Sequence, residues 1–128
     1  MNIKQFLAEN LQSGETYAGL IFGKNGERDY HLFLRPEMPE KTNLSWKEAM
    51  KWAKSIGYEL PTQREASLLA INCRESFDLD DGYWTSTQSA NHDGYALMQN
   101  FGRAYQNYHD KLDYHRARAI RRIYVDAP

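Results

Sequence analysis

The chain has 128 residues, 41% of them hydrophobic and 26% charged, which fits one globular domain with a real core and excludes a disordered segment or a coiled coil. A net charge of −1 gives no general attraction to nucleic acid or an anionic membrane, and no apolar run approaches the about 20 residues that span a bilayer. The unusual feature is aromatic content, 13% with nine Tyr and three Trp, more than core packing alone requires and suited to a surface that must hold a partner.

The first stretch, "MNIKQFLAEN", lacks the continuous apolar region and small-residue cleavage site of a secretory signal, and the lone Cys73 excludes an internal disulfide. Together these predict a cytoplasmic location. Ile3, Phe6 and Leu7 make a short apolar stripe, so residues 1–15 form either a short helix on the domain or an arm. Residues 16–34 read as a hairpin: "TYAGLIF" and "DYHLFL" are β-rich, and Asn25-Gly26 between them is the dipeptide that tolerates positive φ in tight turns. Pro36 and Pro39 end the second strand.

Two helices follow, each with a start signal. Ser45 and Glu48 make a capping-box pattern, Trp46, Ala49, Met50 and Ala53 fall on one apolar stripe, and Gly57 supplies a left-handed stop. Pro61 holds Leu60 extended, Thr62 and Glu65 make a second box, and Ala66, Leu69, Ala70 and Cys73 share a face, so Cys73 is predicted to be a small core residue. From about residue 83 the pattern changes to short strands between turns: "YWTST", "YALMQNF", "AYQNYH" and "RARAIRRI". A hairpin, two helices and a run of antiparallel strands predict an α+β fold over residues 1–128 as a single domain.

The acidic run Asp78 to Asp81 lacks the spacing of a calcium loop and reads as a solvated turn. His31, His92, His109 and His115 show no helical pairing, and no thiolate pair exists, so no metal site is expected and the four are read as surface polar residues. The hydroxyls of "WTSTQS" sit in no strained elbow, so no catalytic nucleophile is expected. Arg116, Arg118, Arg121 and Arg122 form the strongest basic concentration, with the acidic turn, Asp110 and Asp113 as the expected counter-charges.

The ordered series "ELPTQREASLLAINCRESF", "GYWTSTQ", "YALMQNFGRAYQNYHDK" and "RARAIRRI", preceded by "YAGLIFGKNGERDYHLFL", resembles the phage and prophage proteins among bacterial C-type-lectin-like domains of unknown function. That group is related to the C-terminal domain of bacterial collagen-like adhesins. The resemblance covers roughly residues 16–123. It implies a C-type-lectin-like fold with an N-terminal hairpin, two helices flanking antiparallel sheets, the first and last strands paired, and ligand-facing loops in the last third. The sugar-binding branch holds calcium through Glu-Pro-Asn and Trp-Asn-Asp triplets that this sequence lacks, and the formylglycine-generating branch needs a pair of cysteines.

The expectation is therefore a non-enzymatic, phage- or prophage-derived recognition module with no cofactor and no metal. Its partner is a protein rather than a sugar, a nucleic acid or a membrane. The expected contact residues are Gln88, Asn91, His92, Arg103, Tyr105, Gln106, Asn107, Tyr108, His109 and Tyr114, a mixture of rigid tyrosines and adaptable amides. The alternative is an inhibitor of a host defence protein, such as a CRISPR component, or of a replication protein, acting by occlusion or with Asp78 to Asp81 as a phosphate mimic.

Overall fold

The computed structural model describes residues 2–126, which form three α-helices and two three-stranded antiparallel sheets. Helix α1 (Ile3–Asn10) is capped by the Asn2 side chain and lays Phe6 on His31, with ring centroids 4.0 Å apart. The N-terminal stretch is thus a short helix packed on its own hairpin. Strands β1 (Thr16–Ile21) and β2 (Tyr30–Leu34) form that hairpin, and its turn places both Asn25 and Gly26 at positive φ, 56° and 83°.

The first sheet has the order β1-β2-β6, with β6 (Ile120–Tyr124) paired to β2 over Tyr30↔Tyr124 to Leu34↔Ile120. This corrects the expected pairing of first and last strands. The outer edge of β1 is unsuited to another strand: the register slips between Tyr17 and Gly19, Gly19 has φ 129°, and the freed Ala18 carbonyl accepts from Asn72 Nδ2 at 2.6 Å. A methyl at Gly19 would press on Leu68 and Asn72, so α3 packs closely on the sheet at the bulge. Strand β2, whose Leu32, Phe33 and Leu34 are fully buried, is the central one.

Helix α2 (Trp46–Ser55) starts from the Ser45–Glu48 box and α3 (Gln63–Asn72) from the Thr62–Glu65 box, both complete in hydrogen bonding. Gly57 stops α2 at φ 84°. Cys73 is buried as the C-cap of α3, packed with Leu69, Phe77 and Phe101. The second sheet is β3-β4-β5 in order, built from β3 (Gly82–Gln88), β4 (Tyr95–Asn100) and β5 (Tyr105–Asp110).

The predicted strand over "RARAIRRI" divides in two. Only Ile120 onward belongs to β6, while Arg116 bridges to Tyr83 and His115 to Leu44, so residues 115–119 run between the sheets. This segment ties the halves together: Trp84 N donates to Arg116 O, Arg35 N to Ala119 O, and Ile120 N to Glu59 O. Ala117 and Ala119 are small and fully buried there, which lets the backbone pass beside Trp84. Trp84 satisfies its buried indole N–H on the Leu44 carbonyl at 2.8 Å.

Candidate functional site

Strand β5 is the outer strand of its sheet, paired to β4 along six residues from Tyr95↔Asp110 to Asn100↔Tyr105. Among the described residues no strand pairs with its other edge. The side chains alternate: Tyr105, Asn107 and His109 share a face with Met98 and Ala96, while Gln106, Tyr108 and Asp110 share the opposite face with Gln99, Leu97 and Tyr95. Every β4 residue after Tyr95 is buried, yet Tyr105, Asn107, Tyr108 and Asp110 are exposed. The pairing is therefore one-sided, with a rigid inner partner and an outer edge that no strand covers, where the Tyr108 amide donates to Asn107 Oδ1 at 2.9 Å.

The expected contact residues lie along this sheet rather than in one patch. Gln88, Asn91 and His92 sit at the β3–β4 turn, at the Asp110 end of the ladder. Arg103 lies in the β4–β5 turn at the Tyr105 end, roughly 17 Å away at strand spacing. Several are already engaged within the chain. Lys111 Nζ donates to Gln88 Oε1 (2.7 Å) and lies over the Trp46 ring; His92 accepts from the Gly94 amide and packs on Tyr95. Gln106 Nε2 donates to Gln63 O and Ser67 Oγ, which fastens β5 to α3. Tyr105, Asn107, Tyr108 and Tyr114 keep exposed side chains, with Lys41 resting over the Tyr114 ring.

Of the four histidines expected at the surface, His92 is exposed, while His31 and His115 correct that expectation. His115 is half-buried against the Trp84 ring, and its Nε2 shares a hydrogen bond with His109 Nδ1 at 2.8 Å. Burial, with the neighbouring His109, pushes the His115 pKa below the usual imidazole value, only partly opposed by Asp113 and Asp81. His31 is half-buried beneath Phe6 and bonded to the Tyr17 hydroxyl at 2.7 Å, and burial lowers its pKa too. Helix α1 covers His31 on β2 and the segment between the sheets carries His115 to Trp84, placements that neither spacing nor polarity reveals.

The arginines are spent on intramolecular contacts, with partners largely different from those expected. Arg116 does pair with Asp81 (2.8 Å) and Asp78 (3.3 Å) of the acidic turn. Arg121, however, grips Glu15 through two bonds, and Arg122 grips the fully buried Glu65 through two more while reaching Glu59. Arg118 donates to the Ser76 and Arg35 carbonyls and stacks on Phe77; burial lowers its pKa. Glu65 is legible in the sequence only as a capping residue, and Glu15 carries no local signal. Each instead closes the fold around a β6 arginine.

Among the described residues no helix is long and apolar enough to cross a membrane, and no three His, Cys, Asp or Glu side chains gather as a metal site would need. No protein family matches the chain, and no curated protein does.

Proposed function

We propose that the chain is a recognition module that binds a protein partner through its C-terminal third and carries out no chemistry of its own. The observation that carries this reading is the open edge of β5, with Tyr105 and Tyr108 exposed on its opposite faces and β4 buried behind it. A partner backbone can add to that edge by main-chain hydrogen bonding, while the tyrosines clasp it from both sides at low conformational cost. The fold class, α+β with helices set against two small sheets, is in keeping with the C-type-lectin-like, phage- or prophage-type resemblance and with action in the cytoplasm of a bacterial host. The same frame supports loops and edges that vary without loss of the core.

The bonding of Asp78 and Asp81 to Arg116 favours this reading over a phosphate mimic, since an effective mimic presents its carboxylates free. His92 and His109, the residues best suited to acid–base work, take separate partners, Gly94 and His115. The test is affinity capture from host lysate with the native protein beside a Tyr105→Ala/Tyr108→Ala variant of unchanged circular dichroism. Loss of the captured protein in the variant supports the surface, and an unchanged catch sinks it.

A further inference from the structure

Away from β5, helix α2 borders a groove of about 580 Å³. Its floor is apolar, formed by Met50, Leu60 and the Tyr58 ring, over which the Arg35 guanidinium lies at 4.4 Å. Its rim is cationic. Lys47, Lys51 and Lys54 stand at i, i+4 and i+7 with Met50 between them at i+3, so one side of α2 presents three exposed ammonium groups over one apolar seam.

Like charges at these spacings repel along a helix, and among the described residues no ion pair relieves them. The nearest acidic residues in sequence are taken elsewhere: Glu48 binds Lys41 at 3.2 Å, and Glu59, which also borders the groove, binds Arg122 at 2.9 Å. Among the described residues the three lysines have no carboxylate partner. The groove has the size of a small-molecule site, and between its charged rim residues the surface is apolar.

We propose that this groove binds a free linear acyl carboxylate, with the chain on Met50, Leu60 and Tyr58 and the anionic head among Lys47, Lys51 and Lys54. Charge complementarity selects the head and the apolar floor selects the tail. A peptide fits less well, because inside the charged rim only Ser86 and Tyr58 carry hydrogen-bonding groups, and amides buried on the apolar floor would stay unpaired. The site is separate from the β5 edge, so it stands or falls independently of the protein-binding reading.

The test is calorimetric titration with decanoate below its micellar concentration, beside decyltrimethylammonium and acetate. Backbone amide shifts are mapped on the unmodified protein. Decanoate is expected to saturate at one site and to shift amides of residues 47–60, with the cationic and tailless probes at least tenfold weaker. The exposed triple variant Lys47→Gln/Lys51→Gln/Lys54→Gln should lose at least tenfold in decanoate affinity with its melting unchanged. Absence of saturation, shifts confined to other regions, equal binding of decyltrimethylammonium, or full affinity in the variant each overturns the assignment. So does tighter binding to anionic phosphatidylglycerol vesicles, or to an acidic amphipathic peptide, than to decanoate. Should the variant fail to fold, the shift map and the probe comparison on the native chain decide alone.

Discussion

Glu65 and Arg122 meet in a bidentate ion pair, 2.6 and 2.9 Å long, between the first turn of α3 and the last strand. Glu65 is fully buried and serves three masters: it closes the Thr62 capping box through the Thr62 amide, takes the Tyr30 hydroxyl at 2.6 Å, and neutralises Arg122. Burial alone would raise its pKa, yet the Arg122, Thr62 and Tyr30 hydrogen bonds hold it below the usual carboxylate range. Burial and the same carboxylate push the Tyr30 phenol upward.

Replacing Glu65 by Gln keeps the shape and removes the buried charge, which leaves Arg122 only the exposed Glu59 as a counter-charge. The expected cost is about 3–5 kcal/mol, read as a lower urea midpoint. Arg122→Met alone should also destabilise, and the Glu65→Gln/Arg122→Met double variant should lose less than the sum of the two. Strict additivity would show that the pair is not coupled.

Cys73 offers a chemical readout of the core. It is fully buried among Leu69, Phe77 and Phe101, and burial, reinforced by Glu75, pushes its thiol up to about 11. Both access and thiolate fraction are therefore low in the folded chain. Iodoacetamide at pH 8 is expected to leave Cys73 unmodified for hours in buffer and to label it within minutes in denaturant. Rapid native labelling would mean that the α3 end opens locally.

The helices and most strands are legible because their signals are local. The two capping boxes, the Asn25-Gly26 turn and the Gly57 stop each act within a few residues, and all of them form as the sequence indicates. The strand order is not local. Whether β6 joins β1 or β2 depends on the Gly19 bulge and on Asn72 reaching across to Ala18, partners 54 positions apart. The ion pairs fail for the same reason: Arg121 reaches Glu15 over 106 positions and Arg122 reaches Glu65 over 57, whereas the acidic turn that looked nearest serves Arg116 alone. Of the candidate surface, the exposure of Tyr105, Asn107, Tyr108 and Tyr114 agrees with what the resemblance implies for the last third. The fastening of Gln106 to α3 and of His109 to His115 needs the folded sheet.

Stability should fall in two stages on acidification. The His31 and His115 pKa values lie below 6.5 in the folded chain, each lowered mainly by burial. Above pH 6.5 both are neutral whether folded or not; below it the unfolded chain binds protons that the folded chain resists, so stability drops as pH falls through their folded values. Glu15 and Glu65 are shifted below 4.5, so their contribution is present above that value and is lost as pH falls further. Thermal melts from pH 8 to pH 3 should show a first decline below 6.5 and a steeper one below 4.5. His115→Gln should shrink the first decline and leave the second. A melting temperature flat from pH 7 to pH 5 would contradict the burial of these imidazoles.

Ala104 sits at φ 58° in the turn between β4 and β5, a left-handed conformation in which its methyl crowds the backbone. Such a residue costs about 1–2 kcal/mol relative to right-handed geometry, while a glycine there costs roughly 0.4–1 kcal/mol more unfolded-state entropy. The strain relief is the larger effect, so Ala104→Gly should stabilise the protein by about 0.5–1 kcal/mol, read as a higher urea midpoint with unchanged slope. Ala104→Val, branched at the same position, should destabilise it instead. Because Ala104 immediately precedes Tyr105 and the six-residue β4–β5 ladder, the gain should leave that ladder intact. A glycine variant less stable than the native chain would mean that Ala104 packs against the Ser67–Ile71 side of α3 strongly enough to outweigh its strained backbone.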